Sequence, residues 1–331
     1  WDIDPYEIEF RKRIGRGVAG TTYLATWSGQ PVAVKIAAIT DMGIEGWRTE
    51  CDSLQRLHHP NIVRMLGSMF NPNPRTFGLV LEYCEAGDLG KAFREPTPSN
   101  FFWKVAGDIA NGMAYLHKKG IIHRDLKPGN VLLHGDVATG SYTAKLADFG
   151  VATMTQNRPD EGEYTAETGT YRWMAPEVIR HESYTFSADV FSYALVAWQL
   201  LTREEPFAGL SQIEAAGKVA LELARPPVPP GTPGPVSRLI RMCWSENPSD
   251  RIPFERISQD LQGYSRDLTS GERTWMDDER GHPVYQPRAE DDEEDVEEGT
   301  PIDIVGMMSG QHMSDPTGFQ RKRWGFRSKG K

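Results

Sequence analysis

Hydrophobic and polar residues follow a two-residue period in the first part of the chain. Along residues 9–36, one run alternates branched side chains with other types: Val32, Val34 and Ile36 alternate with Ala33 and Lys35. Successive residues of a strand point to opposite faces of a sheet, so this period predicts β-strands. Two further strands are expected at 62–70 and 76–83, and apolar residues at helical spacing predict a helix over 44–58.

Helical spacing dominates after residue 87. One apolar stripe repeats every three or four residues and consists of Phe102, Val105, Ile109, Met113 and Leu116. The segment 187–202 is apolar nearly all round, which predicts a helix buried inside the molecule. Two more helices are expected at 211–223 and 234–245, separated by a proline-rich break at 226–235.

Composition argues against several classes of protein. The 331 residues carry a formal net charge of −9, which disfavours nucleic acid as a partner because phosphate backbones need clustered Lys and Arg. The longest apolar stretch, Ala188–Leu201, is too short to cross a bilayer. Three cysteines far apart in sequence form no zinc or disulfide pattern, and residues 1–4 are too charged for a signal peptide. We expect a cytoplasmic protein, with the nucleus as the alternative.

The C-terminal part of the chain differs in composition from the rest. Eight acidic residues fall within 290–298, and residues 321–331 are rich in Lys and Arg. Blocks of like charge repel one another and rarely pack into a core. We therefore expect a largely disordered tail over 270–331, first acidic and then basic. Docking of a partner protein on this tail, or an autoregulatory role, is the alternative.

A glycine-rich loop separates two of the predicted strands. Glycine lets backbone N–H groups approach a phosphate closely, so Gly15, Gly17 and Gly20 are candidate phosphate-binding residues. A plain hairpin turn is the alternative. A dinucleotide-binding loop requires a helix immediately afterwards, whereas Thr21–Leu24 continues as strand, so that interpretation is rejected.

Lys35 lies on a predicted strand among apolar residues. A half-buried ammonium group is unfavourable unless it meets an anion, such as a phosphate or the carboxylate of Glu50. For Lys35 taken alone, a side chain that extends past its neighbours into solvent is the alternative.

The string His123–Asn130 carries the strongest chemical signal. Asp125 can orient an attacking hydroxyl, Lys127 can meet phosphoryl charge, and Asn130 offers an amide oxygen to a hard cation. Asp148 follows another predicted strand and offers a carboxylate to Mg²⁺.

The segment between Asp148 and Glu177 is rich in hydroxyl groups. Thr165 and Thr168 are candidate phosphorylation sites, and a phosphate there could pair with Arg124 and order the segment. An unmodified flexible loop is the alternative.

Taken together, these motifs resemble the eukaryotic protein kinase family. The similar region covers about residues 8–265, and the order and spacing of the motifs are far more specific than any one motif. The resemblance implies an α+β bilobal protein kinase fold, with a small β-rich N-lobe over about 8–82 that holds one main helix. A larger helical C-lobe would cover about 86–265, and ATP with Mg²⁺ would bind in the cleft between the lobes.

The resemblance also implies a role for each motif residue. The catalytic set would be Asp125, Lys127, Lys35 and Glu50, and the Mg²⁺ ligands would be Asn130 and Asp148. The nucleotide would contact Gly15, Arg16, Gly17, Gly20, Thr22, Ala33, Lys35, Leu81, Glu82, Cys84 and Leu132. Glu177 would pair with Arg251, and Asp189 would support the catalytic loop.

The subgroup follows from further strings. Lys127 and Thr170 match the pattern of serine/threonine kinases at their positions. The strings Gly169–Met174 and Cys243–Pro248 resemble the tyrosine-kinase-like group, such as mixed-lineage and Raf-like kinases. The implied function is transfer of the γ-phosphoryl group of Mg-ATP to Ser or Thr of protein substrates, in a signalling cascade controlled by activation-loop phosphorylation. A pseudokinase that binds nucleotide and partners is the alternative, which the complete catalytic set disfavours. Tyr193, where the family has Gly, departs from the pattern without removing a catalytic group.

Overall fold

A computed structural model of the chain describes residues 1–17, 20–37, 51–52, 54–72, 75–148, 171–269, 275–277 and 283–285. These residues form a sheet-rich N-terminal lobe and a helical C-terminal lobe, so the predicted α+β bilobal fold is confirmed. Among the described helices, none is long and apolar enough to cross a membrane.

Five antiparallel strands build the N-terminal lobe. They are β1 (Ile8–Gly17), β2 (Gly20–Trp27), β3 (Gln30–Ala37), β4 (Met65–Pro72) and β5 (Arg75–Glu82). Their order across the sheet is β1-β2-β3-β5-β4. Ser28 and Gly29 connect β2 and β3 with φ of 49° and 74°, which is typical of a two-residue hairpin whose twist matches its strands.

The two faces of this sheet differ as the two-residue period predicted. Val32 and Val34 are buried in a small core with Ile8, Ala25 and Val80. Ala33 and Lys35 alternate with these valines and therefore point to the opposite face. The alternation along β3 thus fixes which side of the sheet carries Lys35.

The first residues of the chain lie along β4, at one edge of the sheet. Ile3 N donates to Ser68 O at 2.8 Å, and Ser68 N donates to Trp1 O at 2.9 Å. Gly67 permits this approach, because a Cβ on it would lie 2.7 Å from Trp1 O. This cover over the β4 edge was not predicted from the sequence.

Helices form most of the C-terminal lobe. They are α1 (Leu89–Ala92), α2 (Phe101–Lys118), α3 (Pro176–Ile179), α4 (Ser187–Thr202), α5 (Gln212–Leu221), α6 (Gly234–Cys243) and α7 (Phe254–Thr269). The apolar stripe predicted on α2 is buried, and so is every α4 residue from Ala188 to Leu201. Because α4 is apolar nearly all round, other elements pack around it and it forms the centre of this lobe.

A three-stranded sheet also belongs to the C-terminal lobe. Its strands are β6 (Gly87–Asp88), β7 (Val131–Asp136) and β8 (Ser141–Leu146), in the order β6-β7-β8. The β7–β8 hairpin pairs Val131 with Leu146. The residues that precede β7 and those that follow β8 therefore lie side by side.

Two predicted segments fall largely outside the described residues. Of the helix expected over 44–58, the structure describes the part from residue 51, which is helical at 51–52 and 54–55. Of the predicted tail, it describes two short antiparallel strands, β9 (Trp275–Asp277) and β10 (Pro283–Tyr285).

Tyr193 fills the centre of the C-terminal lobe. Its ring meets Phe254 edge to face at 5.4 Å, and its buried hydroxyl donates to Ala106 O at 3.2 Å. We expect Tyr193→Ala to lower the free energy of unfolding by about 3–5 kcal/mol, because the packed helices cannot close the cavity. Tyr193→Phe keeps the ring and should cost about 1 kcal/mol. Urea unfolding measures both, and equal losses would contradict this packing.

Candidate active site

The β7–β8 hairpin brings two sequence-predicted residues together. Asn130 ends the turn before β7, and Asp148 follows β8 by two residues. Ala147 N donates to Asn130 O at 2.9 Å, which ties the two strand ends to each other. Asp148 has a φ of 61°, in the left-handed region that is uncommon for any residue other than glycine.

The loop of residues 123–130, the expected catalytic loop, folds around the carboxylate of Asp125. Asn130 Nδ2 donates to Asp125 Oδ2 at 2.8 Å and to Asp125 O at 2.7 Å. Lys127 Nζ lies 2.8 Å from the same Oδ2. Asp125 Oδ1 is buried and has no hydrogen-bond partner among the described residues. Since a buried acceptor without a donor is unfavourable, Oδ1 marks a place that suits an incoming hydroxyl group.

Lys35 connects the two lobes at this cluster. Its Nζ donates to Asp148 Oδ1 at 2.6 Å, across 113 residues of sequence. The Lys35 side chain is 11% exposed and that of Asp148 is 47% exposed, so the pair lies at an opening to solvent. The expected partner, Glu50, lies outside the described residues, and the contact with Asp148 was not predicted.

The first glycine of the glycine-rich loop lies in the same row of the sheet as Lys35. Gly15 pairs with Thr22 across β1 and β2, and Thr22 pairs with Lys35 across β2 and β3. Neighbouring strands are roughly 5 Å apart, so these three residues form a row across the sheet. Gly17 pairs with Gly20 closer to the tip of the loop.

The buried carboxylate of Asp189 holds the start of the 123–130 loop through backbone hydrogen bonds. Asp189 on α4 is 1% exposed and accepts from His123 N at 2.8 Å and Arg124 N at 2.9 Å. His117 Nε2 lies 2.8 Å from Asp189 Oδ2, and this nitrogen must carry the hydrogen because a carboxylate can only accept. The support by Asp189 was expected from the resemblance, whereas His117, at the end of α2, was missed.

Comparison with known proteins identifies the family to which this arrangement belongs. Residues 8–261 match the family described as protein tyrosine and serine/threonine kinase. The chain belongs to this protein kinase family. Its predicted assignment to the serine/threonine type of the tyrosine-kinase-like group is confirmed.

Three Arabidopsis thaliana kinases are among its relatives. The serine/threonine-protein kinase STY17 is 36% identical to this kinase over 82% of the chain and 47% of its own length. The serine/threonine/tyrosine-protein kinase HT1 is 35% identical, over 82% of the chain and 70% of its own length. The serine/threonine-protein kinase VIK is 39% identical, over 82% of the chain and 63% of its own length. The chain thus spans less than two thirds of STY17 and VIK.

Protein kinases in general use ATP and Mg²⁺, and the donor set of this kinase fits both. The two side-chain hydrogen bonds of Asn130 to Asp125 come from Nδ2, so neither of them occupies the side-chain oxygen Oδ1, which can face a cation. Asp148 offers a half-exposed carboxylate beside the ammonium group of Lys35. The Oδ1 atom of Asp125, which has no hydrogen-bond partner among the described residues, lies in the same cluster and suits the hydroxyl of a substrate.

Several of the residues expected to contact the nucleotide lie on β3, β5 and β7. Ala33 pairs with Leu81 across β3 and β5, and Leu132 pairs with Lys145 across β7 and β8. Glu82 ends β5, and Cys84 follows it as a buried residue. Arg16, also expected near the nucleotide, is exposed on β1 opposite Thr21.

The side chain of Glu82 forms a contact that sequence analysis missed. Its Oε1 accepts from Lys145 Nζ at 2.9 Å and from Arg64 N at 2.6 Å. Lys145 is on β8 and Arg64 lies just before β4, so the carboxylate links the two lobes next to the residues expected to contact the nucleotide. Along β8, Tyr142, Ala144 and Leu146 are buried and Lys145 alternates with them. This two-residue period was the sequence signal that places Lys145 on the opposite face of the strand from these buried residues.

Residues 171–177, which we call the platform segment, lie beside the catalytic loop. Arg251 holds Glu177 through two hydrogen bonds of 2.6 and 2.9 Å, as expected. The guanidinium of Arg124 lies 5.5 Å from the ring centroid of Tyr184. The candidate phosphorylation sites Thr165 and Thr168 lie outside the described residues.

Burial and nearby carboxylates raise the pKa of the Cys84 thiol to about 12; burial is the main cause and Glu82 adds to it. At pH 8 the reactive thiolate is therefore only about 1 part in 10,000 of Cys84. We expect no thiol of the folded kinase to react rapidly with Ellman's reagent, because Cys51, Cys84 and Cys243 are all buried. The guanidinium-unfolded chain is the control and should titrate all three; fast reaction of Cys84 in the folded kinase would contradict this environment.

Proposed function

We propose that this kinase transfers the γ-phosphoryl group of ATP to the hydroxyl of serine or threonine in protein substrates, through a catalytic domain over about residues 8–265. The proposal rests on one observation: Lys35, Asp148, Asn130 and Asp125 form a continuous cluster between the lobes. When bound, ATP would supply the electrophilic γ-phosphorus and leave as ADP, and Mg²⁺ would neutralise charge on the phosphate oxygens. The remaining contributions come from residues of the chain.

Asp125 acts on the substrate hydroxyl. Lys127 and Asn130 hold its Oδ2, which fixes the carboxylate and leaves Oδ1 as the acceptor. Oδ1 accepts the hydrogen bond of the hydroxyl, orients its oxygen and takes its proton. Lys127 places a positive charge beside the same group, where charge develops on phosphoryl oxygens.

Three residues bind the nucleotide and its metal. Lys35 offers its ammonium group to the α and β phosphates, while Asp148 and Asn130 offer oxygen atoms to Mg²⁺. The hydrogen bond from Ala147 N to Asn130 O supports this role because it keeps the two proposed metal ligands on adjacent strand ends. The half-exposure of Asp148 supports it too, since a ligand can reach that carboxylate without unfolding the site.

Serine and threonine are the proposed acceptors. Lys127 in the catalytic loop and the names of STY17 and VIK, both serine/threonine-protein kinases, support this preference. HT1 is named a serine/threonine/tyrosine-protein kinase, so transfer to tyrosine is the alternative. Peptides that carry only one type of hydroxyl distinguish the two outcomes.

Control by phosphorylation is part of the proposal. A phosphate on Thr165 or Thr168 would form charge-assisted hydrogen bonds with Arg124, which directly precedes Asp125. By analogy with its group, the kinase would act within a signalling cascade in the cytoplasm or nucleus. The acidic and basic tail over 270–331 would dock a partner protein.

Asp148→Ala tests the proposed metal ligand. We expect kcat for transfer of radiolabelled phosphate to fall by at least about a thousandfold, because the metal and Lys35 both lose their carboxylate partner. The melting temperature should change little, because the side chain is half exposed. Asp250→Ala, an exposed carboxylate outside the cluster, is the matched control and should keep wild-type kcat.

Two results would overturn the proposal in different ways. Unchanged transfer by Asp148→Ala would remove Asp148 from the metal site. A folded wild-type chain that binds nucleotide but transfers no phosphate to any peptide would favour the pseudokinase alternative.

A further inference from the structure

Arg172 in the platform segment is a buried cation held mainly by backbone carbonyl groups. It is 5% exposed. Its Nη1 donates to Pro206 O at 2.7 Å and Phe207 O at 2.8 Å, and its Nη2 donates to Leu210 O at 2.8 Å. The only carboxylate that pairs with it among the described residues, that of Glu205, is half exposed and lies 3.6 Å from Nε. The three carbonyl oxygens therefore compensate most of the cost of burying this charge.

The loop that supplies these oxygens, residues 205–210, depends on the cation in turn. Three carbonyl oxygens that converge on one point repel one another unless a positive charge lies between them. Phe207 has a φ of 56°, which is an unfavourable backbone conformation for a bulky side chain. Arg172 offsets both costs, so the 205–210 loop and the platform segment hold each other in place.

Arg172 also fixes the platform segment to the start of α5. Its backbone N–H donates to Gln212 Oε1 at 3.2 Å. The preceding residue, Ser211, forms a capping box with Glu214, which sets where α5 begins. The platform segment is thus attached to a rigid helix end as well as to the loop.

The platform segment lies next to the catalytic loop. A small cavity is lined both by Arg124 of the catalytic loop and by Met174 and Ala175 of the platform segment. Ser192 Oγ donates to Trp173 O at 2.7 Å, one helical turn beyond Asp189 on α4. Of residues 171–177, Tyr171 is the one whose side chain is not buried, so it is the side chain that a peptide beside Asp125 can contact.

We propose that Arg172 is a positioning residue for the protein substrate. It holds the outer edge of the platform segment on the 205–210 loop and on α5, so that the peptide meets a fixed surface beside Asp125. Within the part of the chain that the structure describes, its polar contacts are with 205–210 and Gln212, and none of them involves Lys35, Asp125, Asn130 or Asp148. Loss of Arg172 should therefore weaken peptide binding and leave nucleotide binding intact. This inference rests on the proposed transfer to proteins.

Arg172→Lys tests the proposal, because lysine keeps the charge but lacks the planar fork that reaches three carbonyl oxygens at once. The probe is the peptide that the wild-type kinase phosphorylates best in a Ser/Thr peptide library. We expect the KM for this peptide to rise about tenfold, as for the loss of one or two charge-assisted hydrogen bonds. The KM for ATP and the rate of peptide-free ATP hydrolysis should stay within about twofold of wild type.

Matched variants separate positioning from general destabilisation. Arg256→Lys makes the same change at an exposed ion pair on α7 and should alter neither KM. Gln212→Ala leaves the buried charge in place, and it should raise the peptide KM in the same direction by a smaller factor. It also provides the test if Arg172→Lys does not fold.

The measured KM values and melting temperatures distinguish a positioning role of Arg172 from a purely structural one. An unchanged peptide KM in Arg172→Lys or, if that variant does not fold, in Gln212→Ala would overturn the positioning role. Equal losses in both KM values and in the melting temperature would show that Arg172 is only structural. If the wild-type kinase transfers phosphate while Arg172→Lys behaves like wild type, this inference alone fails. If the wild-type kinase transfers no phosphate to any peptide, the proposed function fails and the inference with it.

Discussion

The carboxylate of Asp189 accepts hydrogen bonds from two consecutive backbone N–H groups, those of His123 and Arg124, and from His117 Nε2. Arg124 has a φ of 67°, so the chain turns through an unfavourable conformation at this point. The buried charge offsets that cost, because hydrogen bonds to an ionised acceptor are stronger than those to a neutral one. Asp125 is the next residue, and its direction follows from this turn.

Helix α4, which carries Asp189, also contacts the platform segment. Ser192 is one turn along α4 from Asp189 and holds the carbonyl group of Trp173, while Arg251 holds Glu177. A helix that is buried on every side cannot shift without disturbing its whole lobe, so the catalytic loop and the platform segment keep a fixed separation. The N-terminal lobe joins this frame through Lys35 and Asp148 and through Glu82 and Lys145.

Local periodicity predicted the elements that carry the site. The alternation along β3 fixed the face of Lys35, and the continuous apolar character of 187–202 identified α4, because burial leaves a regular pattern in sequence. The partners of Lys35, Glu82 and Arg172 were not predictable in this way. Their contacts join residues 113, 63 and 34 to 40 positions apart, and such pairs depend on how whole elements pack. The roles of Asp125, Asn130 and Asp148 came from motif spacing, and their effect on activity stays a prediction.

The most direct measurement is the kcat of Asp189→Asn together with amide hydrogen exchange at residues 123 and 124. Asparagine keeps the shape but offers one acceptor oxygen, so its amide group must face at least one of the three donors. We expect faster exchange at these two amides, a KM for ATP near wild type and a kcat lower by about a hundredfold, as for a catalytic group displaced by about 1 Å. A kcat and exchange rates equal to those of the wild type would contradict the central place given to this carboxylate.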